Sequence, residues 1–278
     1  MFSLFIKLGV PPFHLWMPAV YDGAPLIITI YFMLVTKFVL WGAFYSLSFL
    51  YFHYQTLSET IIMWSIISSF FFSIFPALNQ IKLKKLLIYS GISTNAYCLI
   101  PLLSGNESSL FLFLIMYLIT LSGIFAFLSQ IRRGSDFESL DFIGGFLYYY
   151  RYNSILAFCV AGLFFSIIGL PPLSGFFFKY YLFLDVFPNK AGLIIIALTF
   201  GIISAVYYIR VISKLLLSIK PRLTFDELKH WNLPFYILPN KINIVYIIFV
   251  TLLVATGLFY FNPLLSVIEH YLYDTNIT

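Results

Sequence analysis

The chain places lysines inside segments that are apolar enough to cross a membrane. Lys37 lies near the middle of the run Pro25–Leu50, and Lys7 and Lys179 each lie beside a Pro-Pro pair that interrupts an apolar run. A charged group in the hydrocarbon region costs roughly 2.5–3.5 kcal/mol even on the lenient insertion scale. Burial favours the neutral amine and a neighbouring carboxylate favours the ammonium, so a buried lysine can take up and release a proton. We therefore predict that these three lysines form a proton relay.

Three further basic residues lie in or beside apolar runs. His14 follows Pro11-Pro12, where it would either extend the polar path or bond a carbonyl freed by the helix break. Arg210 and Lys214 lie toward the end of their run, where long side chains reach the interface with their charged heads. We therefore list His14 as a possible relay residue and assign Arg210 and Lys214 to the membrane surface.

Acidic residues are absent from the centres of the apolar runs. Asp22, Glu59 and Glu107 fall in linkers, and Asp185 falls near a helix end. No carboxylate of the sequence is thus an obvious partner for Lys7 or Lys37. Either these lysines stay neutral or another polypeptide supplies the acid.

Composition predicts an all-α, polytopic transmembrane bundle, because 61% of the 278 residues are hydrophobic and 10% are charged. Soluble domains carry about 25% charged residues. We read residues 1–278 as a single transmembrane proton-translocation domain, with about seven full spans after a partial first span. The expected spans are Phe2–Val10 (partial), Pro25–Leu50, Thr60–Leu78, Leu83–Leu103, Ser108–Ile131, Asn153–Phe187, Ala191–Leu217 and Ile242–Leu265. Cys98 and Cys159 lie in these runs and read as small core residues.

Two of the apolar runs carry the same interruption. The sequence Gly-x-Pro-Pro followed by Phe or Leu occurs at 9–13 and again at 169–173. Proline removes a backbone donor and clashes with the preceding turn, so each helix must break there. Broken helices in corresponding positions predict two related halves, as in many transporters.

Basic residues alternate between the linkers. The linkers at 79–85, 132–152 and 218–241 hold most of them, whereas those at 51–59, 104–107 and 187–190 hold Lys190 alone. The positive-inside rule places the first set on the cytoplasm-like side, which is the matrix in a mitochondrion. The net charge of +5 therefore reflects topology rather than nucleic-acid binding. The 33 Phe and 21 Tyr residues suit an AT-rich organelle genome.

Several motifs resemble those of one known family. The stretch from Lys7 through Pro11-Pro12 to Pro25 is similar to the signature of the antiporter-like subunits of respiratory complex I, and its closing Val-Tyr-x-Gly-Ala-Pro is typical of subunit 2. The stretches 84–93, 169–179 and 207–211 resemble later helices of that family in the same order. The resemblance covers nearly the whole chain.

This resemblance implies a role for each lysine. Lys7 matches the lysine of the first broken helix, Lys37 the central relay lysine and Lys179 the lysine of the second broken helix. The implied protein is a membrane-arm subunit of NADH:ubiquinone oxidoreductase in the mitochondrial inner membrane. It would carry no cofactor itself, with NADH, FMN, iron–sulfur clusters and ubiquinone elsewhere in the complex. Its implied partners are other membrane-arm subunits and membrane lipids.

The sequence departs from the family pattern in three places. Ala19 stands where the family has an aspartate, and Thr94 where it has a histidine. The family also has several helices before its first broken helix, one of which carries a glutamate that pairs with the lysine matched by Lys7. We therefore expect an N-terminally truncated chain, with a separate polypeptide that supplies or replaces those helices and provides a carboxylate for Lys7.

Two other functions stay open at this point. A stand-alone cation/proton antiporter of the related Mrp type would use the same lysines without redox partners. A structural remnant that has lost its pump function is the third reading, although the retained Lys7, Lys37 and Lys179 speak against it.

Overall fold

The structure, a computed structural model, describes residues 2–51, 55–133, 154–216, 235–237 and 241–275. Its helices are α1 (Phe2–Leu8), α2 (Trp16–Gly23), α3 (Leu26–Tyr31), α4 (Lys37–Tyr51), α5 (Gln55–Leu78), α6 (Leu83–Leu99), α7 (Glu107–Gln130), α8 (Ser154–Ile168), α9 (Ser174–Leu216), α10 (Lys241–Ala255) and α11 (Gly257–Thr275). A π-helical turn, Phe32–Thr36, joins α3 to α4. Two short antiparallel strands, β1 (Ile131–Arg133) and β2 (Phe235–Ile237), pair Arg132 with Tyr236.

The described helices confirm the predicted all-α, polytopic class. Among the residues that the structure describes, five segments are long and apolar enough to cross a membrane, namely Leu26–Leu47, Ser58–Leu78, Leu83–Leu103, Ser108–Ser129 and Lys190–Leu216. The helices α8 and α10 are shorter and also apolar. The long helix α9 contains a non-helical residue, Lys190, which separates its first part from the crossing segment, as the sequence predicts.

The C-terminal region differs from the prediction of one span over Ile242–Leu265. Two helices, α10 and α11, meet at Thr256, whose hydroxyl donates to the carbonyl of Leu252 at 2.8 Å. Such back-bonding bends helices. Gly257 begins α11, and a methyl group added to this glycine would clash with the side chain of Ser174. Because glycine has no side chain, α11 can approach the start of α9 closely.

The helix α6 lies at the centre of the bundle. In the segment Leu83–Leu103, 89% of an 18-residue window is buried inside the protein, against 22% of the corresponding window in Leu26–Leu47. The helix packs along α5 and also contacts α2 and α7. Polar side chains in a membrane span belong in the protein interior, which explains why Ser90, Ser93, Thr94 and Asn95 are all buried here.

Basic side chains cap helix ends near the linker 79–85. Lys84 donates to the backbone carbonyls of Asp22, at 3.1 Å, and Ala24, where α2 ends. Arg210 donates to the carbonyl of Leu78 at 2.6 Å, where α5 ends. Cations at helix C-termini satisfy free carbonyls and complement the helix dipole. Arg210 and Lys214 are both exposed. Most of the predicted basic linkers 132–152 and 218–241 falls outside the described residues.

Candidate functional site

The two Gly-x-Pro-Pro segments end their helices with the same backbone pattern. Gly9 and Gly169 have φ angles of 64° and 89°, and both Pro-Pro bonds are cis. The amide of Val10 donates to the carbonyl of Phe5 at 2.9 Å, and the amide of Leu170 donates to that of Phe165 at 3.2 Å. A left-handed glycine with a six-to-one hydrogen bond is the Schellman motif. The prediction of two broken helices is confirmed.

Different side chains satisfy the carbonyls that each break leaves free. At the second break, the Lys179 ammonium donates to the carbonyls of Ile167 at 2.6 Å and Ile168 at 3.0 Å. At the first break, the side-chain amide of Asn95 donates to Leu8 at 2.7 Å, and the Trp16 indole donates to Ile6 at 2.9 Å. The free carbonyls of the second break thus accept from the lysine that follows that break, whereas one carbonyl of the first break accepts from a residue of α6.

Lys37 begins α4 immediately after the π-helical turn and is 4% exposed. Its ammonium donates to the carbonyl of Gly91 and to the Thr94 hydroxyl at 3.0 Å, and lies 5.4 Å from the centroid of the Tyr117 ring. The ion pairs recorded for the described residues involve Lys85 and Lys190 rather than Lys37. A carbonyl, a hydroxyl and an aromatic face therefore stand where a carboxylate would otherwise be expected.

One cavity connects the surroundings of Lys37 and Lys179. Its lining includes Thr94, which accepts from Lys37, and Lys179 itself, whose ammonium also lies 5.1 Å from the ring centroid of Tyr97. The cavity has about 30 Å³ of space for the centres of water molecules, and one water needs roughly 10–15 Å³. There is thus room for about two waters between the two lysine sites.

Lys7 lies apart from this arrangement. Its side chain is exposed on α1, although the neighbouring residues Phe5 and Leu8 are buried in the core. An exposed lysine on an apolar helix faces either lipid or another protein surface. The structure therefore places Lys179 on the central cavity, Lys37 one hydrogen bond away from it through Thr94, and Lys7 on the outside.

His14 is buried and stacks on the ring of Phe72, with ring centroids 5.3 Å apart. Its Nδ1 atom has no hydrogen-bond partner within the described residues. The ring lines a second cavity, together with Asp22 and Lys85, which form an ion pair at 3.2 Å. The histidine is therefore placed between the first break and the side of the bundle that carries the basic linker 79–85.

The sequence reasoning missed several residues of the site. Tyr117, Tyr207 and Ser166 line the central cavity, and Asn95 holds the first break. A usable signal was present, because polar residues inside apolar spans avoid lipid and the span that contains Asn95 is the least apolar of the five. Cys98 is buried, as expected for a small core residue, whereas Cys159 is only partly buried, and both are free cysteines.

The fold and the site define a class, that of multi-pass membrane proteins with two broken helices and buried lysines. The family described as NADH:quinone oxidoreductase/Mrp antiporter, transmembrane, matches residues 1–205 of the chain. Because this match extends over more than half of the sequence, the chain belongs to that family.

Individual relatives agree with this assignment. The chain is 35% identical over 222 residues to NADH-quinone oxidoreductase subunit N of Methylobacterium nodulans, across 74% of this chain and 44% of that protein. It is 31% identical to subunit N of Protochlamydia amoebophila, across 96% of this chain and 54% of that protein. The chain spans about half the length of these relatives.

A solved structure of respiratory complex I from Thermus thermophilus contains a chain with the same fold. The TM-score is 0.77 with 24% identity, across 95% of this chain and 56% of that chain. The predicted antiporter-like fold is therefore confirmed.

Proposed function

We propose that this chain is a membrane-arm subunit of NADH:quinone oxidoreductase, of the subunit N type, and that it carries protons. The observation that carries the proposal is the setting of Lys37. This lysine is buried, has no carboxylate partner among the described residues, and bonds to Thr94, which lines the same cavity as Lys179. The names of the relatives support the assignment to this complex. The chain itself performs no redox chemistry in this proposal, and NADH, FMN, iron–sulfur clusters and quinone act in other subunits.

In the proposed path, a proton moves between Lys37 and Lys179. Ammonium groups on Lys37 and Lys179 would repel each other across the poorly solvated cavity, which Lys179 lines and which Lys37 reaches only through Thr94. Charges interact strongly where water is scarce. Loading one lysine therefore favours release from the other. Redox energy released in other subunits changes which of Lys37 and Lys179 is protonated, through coupling between distant sites.

His14 is the proposed relay residue on the basic side of the bundle. His14 lines the second cavity together with the Asp22–Lys85 pair, and that cavity has about 440 Å³ of space for the centres of water molecules. An imidazole can accept a proton at one nitrogen and release one at the other. Water in this cavity would bring protons to His14 and onward past the first break.

Lys7 is proposed to face a carboxylate that lies outside residues 1–278. Its exposed position on an apolar helix supports this, because a charge at membrane depth needs a polar partner. The carboxylate would belong to another polypeptide or to a part of the protein that precedes these residues. A structure of the intact assembly that shows lipid alone beside Lys7 would contradict this part of the proposal.

We also propose a location in the mitochondrial inner membrane, with the linkers 79–85, 132–152 and 218–241 facing the matrix. The charge distribution and the high Phe and Tyr content support it, whereas the relatives named above are bacterial. Cysteine labelling from each side of sealed membranes tests the orientation. Labelling of the linker 79–85 from the intermembrane side would contradict it.

The decisive experiment replaces Lys37 with alanine in the intact complex, reconstituted into vesicles. NADH-driven proton uptake per electron is expected to fall severalfold, because the buried proton carrier is lost. Lys214→Ala is the matched control, since this lysine is exposed near a helix end. Unchanged proton stoichiometry in Lys37→Ala would overturn the proposal and favour a structural role.

A second candidate is an Mrp-type cation/proton antiporter, which the description of the family includes. Purification distinguishes the two functions, because a subunit of the oxidoreductase is recovered with redox-active partners. Sodium-dependent proton exchange by the chain without NADH would favour the antiporter.

A further inference from the structure

The second cavity is a groove that runs along three helices. Each helix lines it with residues three or four positions apart, which is the spacing of residues on one face of a helix. The pairs are Ala19 and Asp22 of α2, Phe72 and Pro76 of α5, and Lys85 and Tyr89 of α6. Four residues of helix rise by about 6 Å, so the groove follows the helix axes for about one turn or more.

One end of this groove is charged, whereas its α5 wall is apolar. The Asp22–Lys85 ion pair lies at the end where α2 finishes and α6 begins. Phe72 lines the groove further along α5 and is exposed, as are its neighbours Phe71 and Phe75. The apolar wall therefore continues onto the outer surface of the bundle. A groove of this kind suits an amphipathic ligand that has a charged head and an apolar chain.

The charged end carries more positive than negative charge. Lys82, Lys84 and Lys85 lie in or next to the first turn of α6, whereas Asp22 is the carboxylate that lines the groove among the described residues. The side chain of Lys85 is 35% exposed, and an ammonium has three donors, so it can bind a second acceptor. The α6 helix also begins without a side-chain cap, and free N–H groups at a helix start favour an anion.

We infer that this groove binds an anionic phospholipid, with its phosphate at Lys85 and an acyl chain along Phe72 and Pro76. Basic pockets between transmembrane helices bind anionic head groups in this way. The exposed apolar wall selects a lipid over free phosphate, because it offers the chain a continuous path to the bilayer. The inference goes beyond the proposed function and does not depend on it. A lipid head group is hydrated, so water can still reach His14.

A photoactivatable lipid tests the site in the intact complex, reconstituted into phosphatidylcholine vesicles. The probe is phosphatidylglycerol with a diazirine in its acyl chain, and mass spectrometry locates the labelled residues. We expect labelling of α5 around Phe72 and Pro76, and weaker labelling there by a phosphatidylcholine probe with the same chain. Equal labelling of these residues by the two probes, or none, would overturn the inference.

Two variants test the head-group end and the chain separately. Lys85→Gln is expected to lower labelling by the phosphatidylglycerol probe about fivefold, the effect of one lysine near an anionic head group, and Lys85→Arg should restore it. Ala19→Trp fills the groove from an exposed position without a change of charge, so labelling by both probes should fall. Lys214→Gln is the control, since this exposed lysine lies on α9. Wild-type labelling in both Lys85→Gln and Ala19→Trp would contradict the site.

Competition identifies the source of the phosphate group. An excess of inorganic phosphate is expected to leave labelling of α5 unchanged, and a loss of labelling would show a site for free phosphate instead of a lipid. A structure of the intact assembly with another polypeptide in the groove would also overturn the inference. Because labelling does not measure proton uptake, failure of the lipid site leaves the proposed function standing. Failure of the Lys37→Ala test likewise leaves the lipid site standing.

Discussion

The two helix breaks have the same backbone conformation but differ in the side chains that donate hydrogen bonds to it. Both end in a left-handed glycine followed by a Pro-Pro pair, with equivalent hydrogen bonds 160 positions apart in the sequence. The second break closes on itself, because Lys179 from the helix that follows caps the helix that precedes. The first break depends on Asn95 from α6, and its own lysine points outward. The same turn therefore serves an internal site at the second break and an outer surface at the first.

The largest expected effect tests how tightly the second break closes. A methyl group on Gly175 would lie 1.8 Å from the carbonyl oxygen of Ser166, which is backbone and cannot move aside. Gly175→Ala is therefore expected to destabilise the protein by roughly 3 kcal/mol or more, beyond ordinary overpacking. The assembled protein in the membrane would fall sharply in amount and in thermal stability.

The corresponding residue of the first break supplies the control for that variant. Leu15 is 76% exposed, so Leu15→Ala is expected to leave assembly and thermal stability nearly unchanged. Equal effects of the two variants would show that the second break is no tighter than the first.

The next effect concerns the carbonyls of the second break. Lys179→Met keeps a long apolar side chain and removes the donors to Ile167 and Ile168. Each unsatisfied buried carbonyl costs about 1–3 kcal/mol, so a loss of stability of about 2–4 kcal/mol and a loss of proton uptake are expected. Thermal unfolding and vesicle assays measure the two effects. A fully stable variant would mean that the ammonium does not cap this helix.

A smaller effect is expected at the first break. Asn95→Leu preserves the volume and removes one donor, that to Leu8, so stability should fall by about 1–2 kcal/mol. Ser46→Ala removes a hydroxyl on an exposed part of α4 and serves as the control. If Asn95→Leu proves as damaging as Lys179→Met, the first break is held by α6 more strongly than this comparison states.

The smallest effect falls on α6 between the two breaks. A methyl group on Gly91 would lie 3.3 Å from the Lys37 ammonium and 3.0 Å from the Met33 side chain, so both must shift slightly. Gly91→Ala should change stability by less than about 1 kcal/mol, while the rate of proton uptake falls severalfold. Gly42→Ala, where the added methyl group meets open space, should leave that rate unchanged.

The sequence predicted the parts of the site that depend on local chemistry. The Gly-x-Pro-Pro repeat predicted both breaks, because proline and glycine act on their own backbone. The burial of Lys37 followed from its central place in an apolar run, and Arg210 is exposed toward the end of its helix, as expected. The prediction that Lys7, Lys37 and Lys179 form one relay stays a prediction.

Other parts depend on contacts between distant segments. The central cavity needs Thr94, Ser166 and Tyr207 from three helices, and nothing in the spacing of these residues along the chain predicts that they meet. The partner of the first break, Asn95, is 87 residues from Leu8. The π-helical turn before Lys37 lies in an apolar stretch with no glycine or proline to mark it.

The setting of Lys37 also has an electrical consequence. Because carbonyl, hydroxyl and ring atoms surround its ammonium instead of a described carboxylate, protonation adds a whole positive charge at membrane depth. A charge that crosses a membrane at 100 mV exchanges about 2.3 kcal/mol with the potential. Under the proposed orientation, a proton that reaches Lys37 from the basic side climbs through a fraction of that potential. The protonated fraction of Lys37 would fall as the membrane potential rises. The protonation of this lysine would therefore depend on the same potential that proton transport builds.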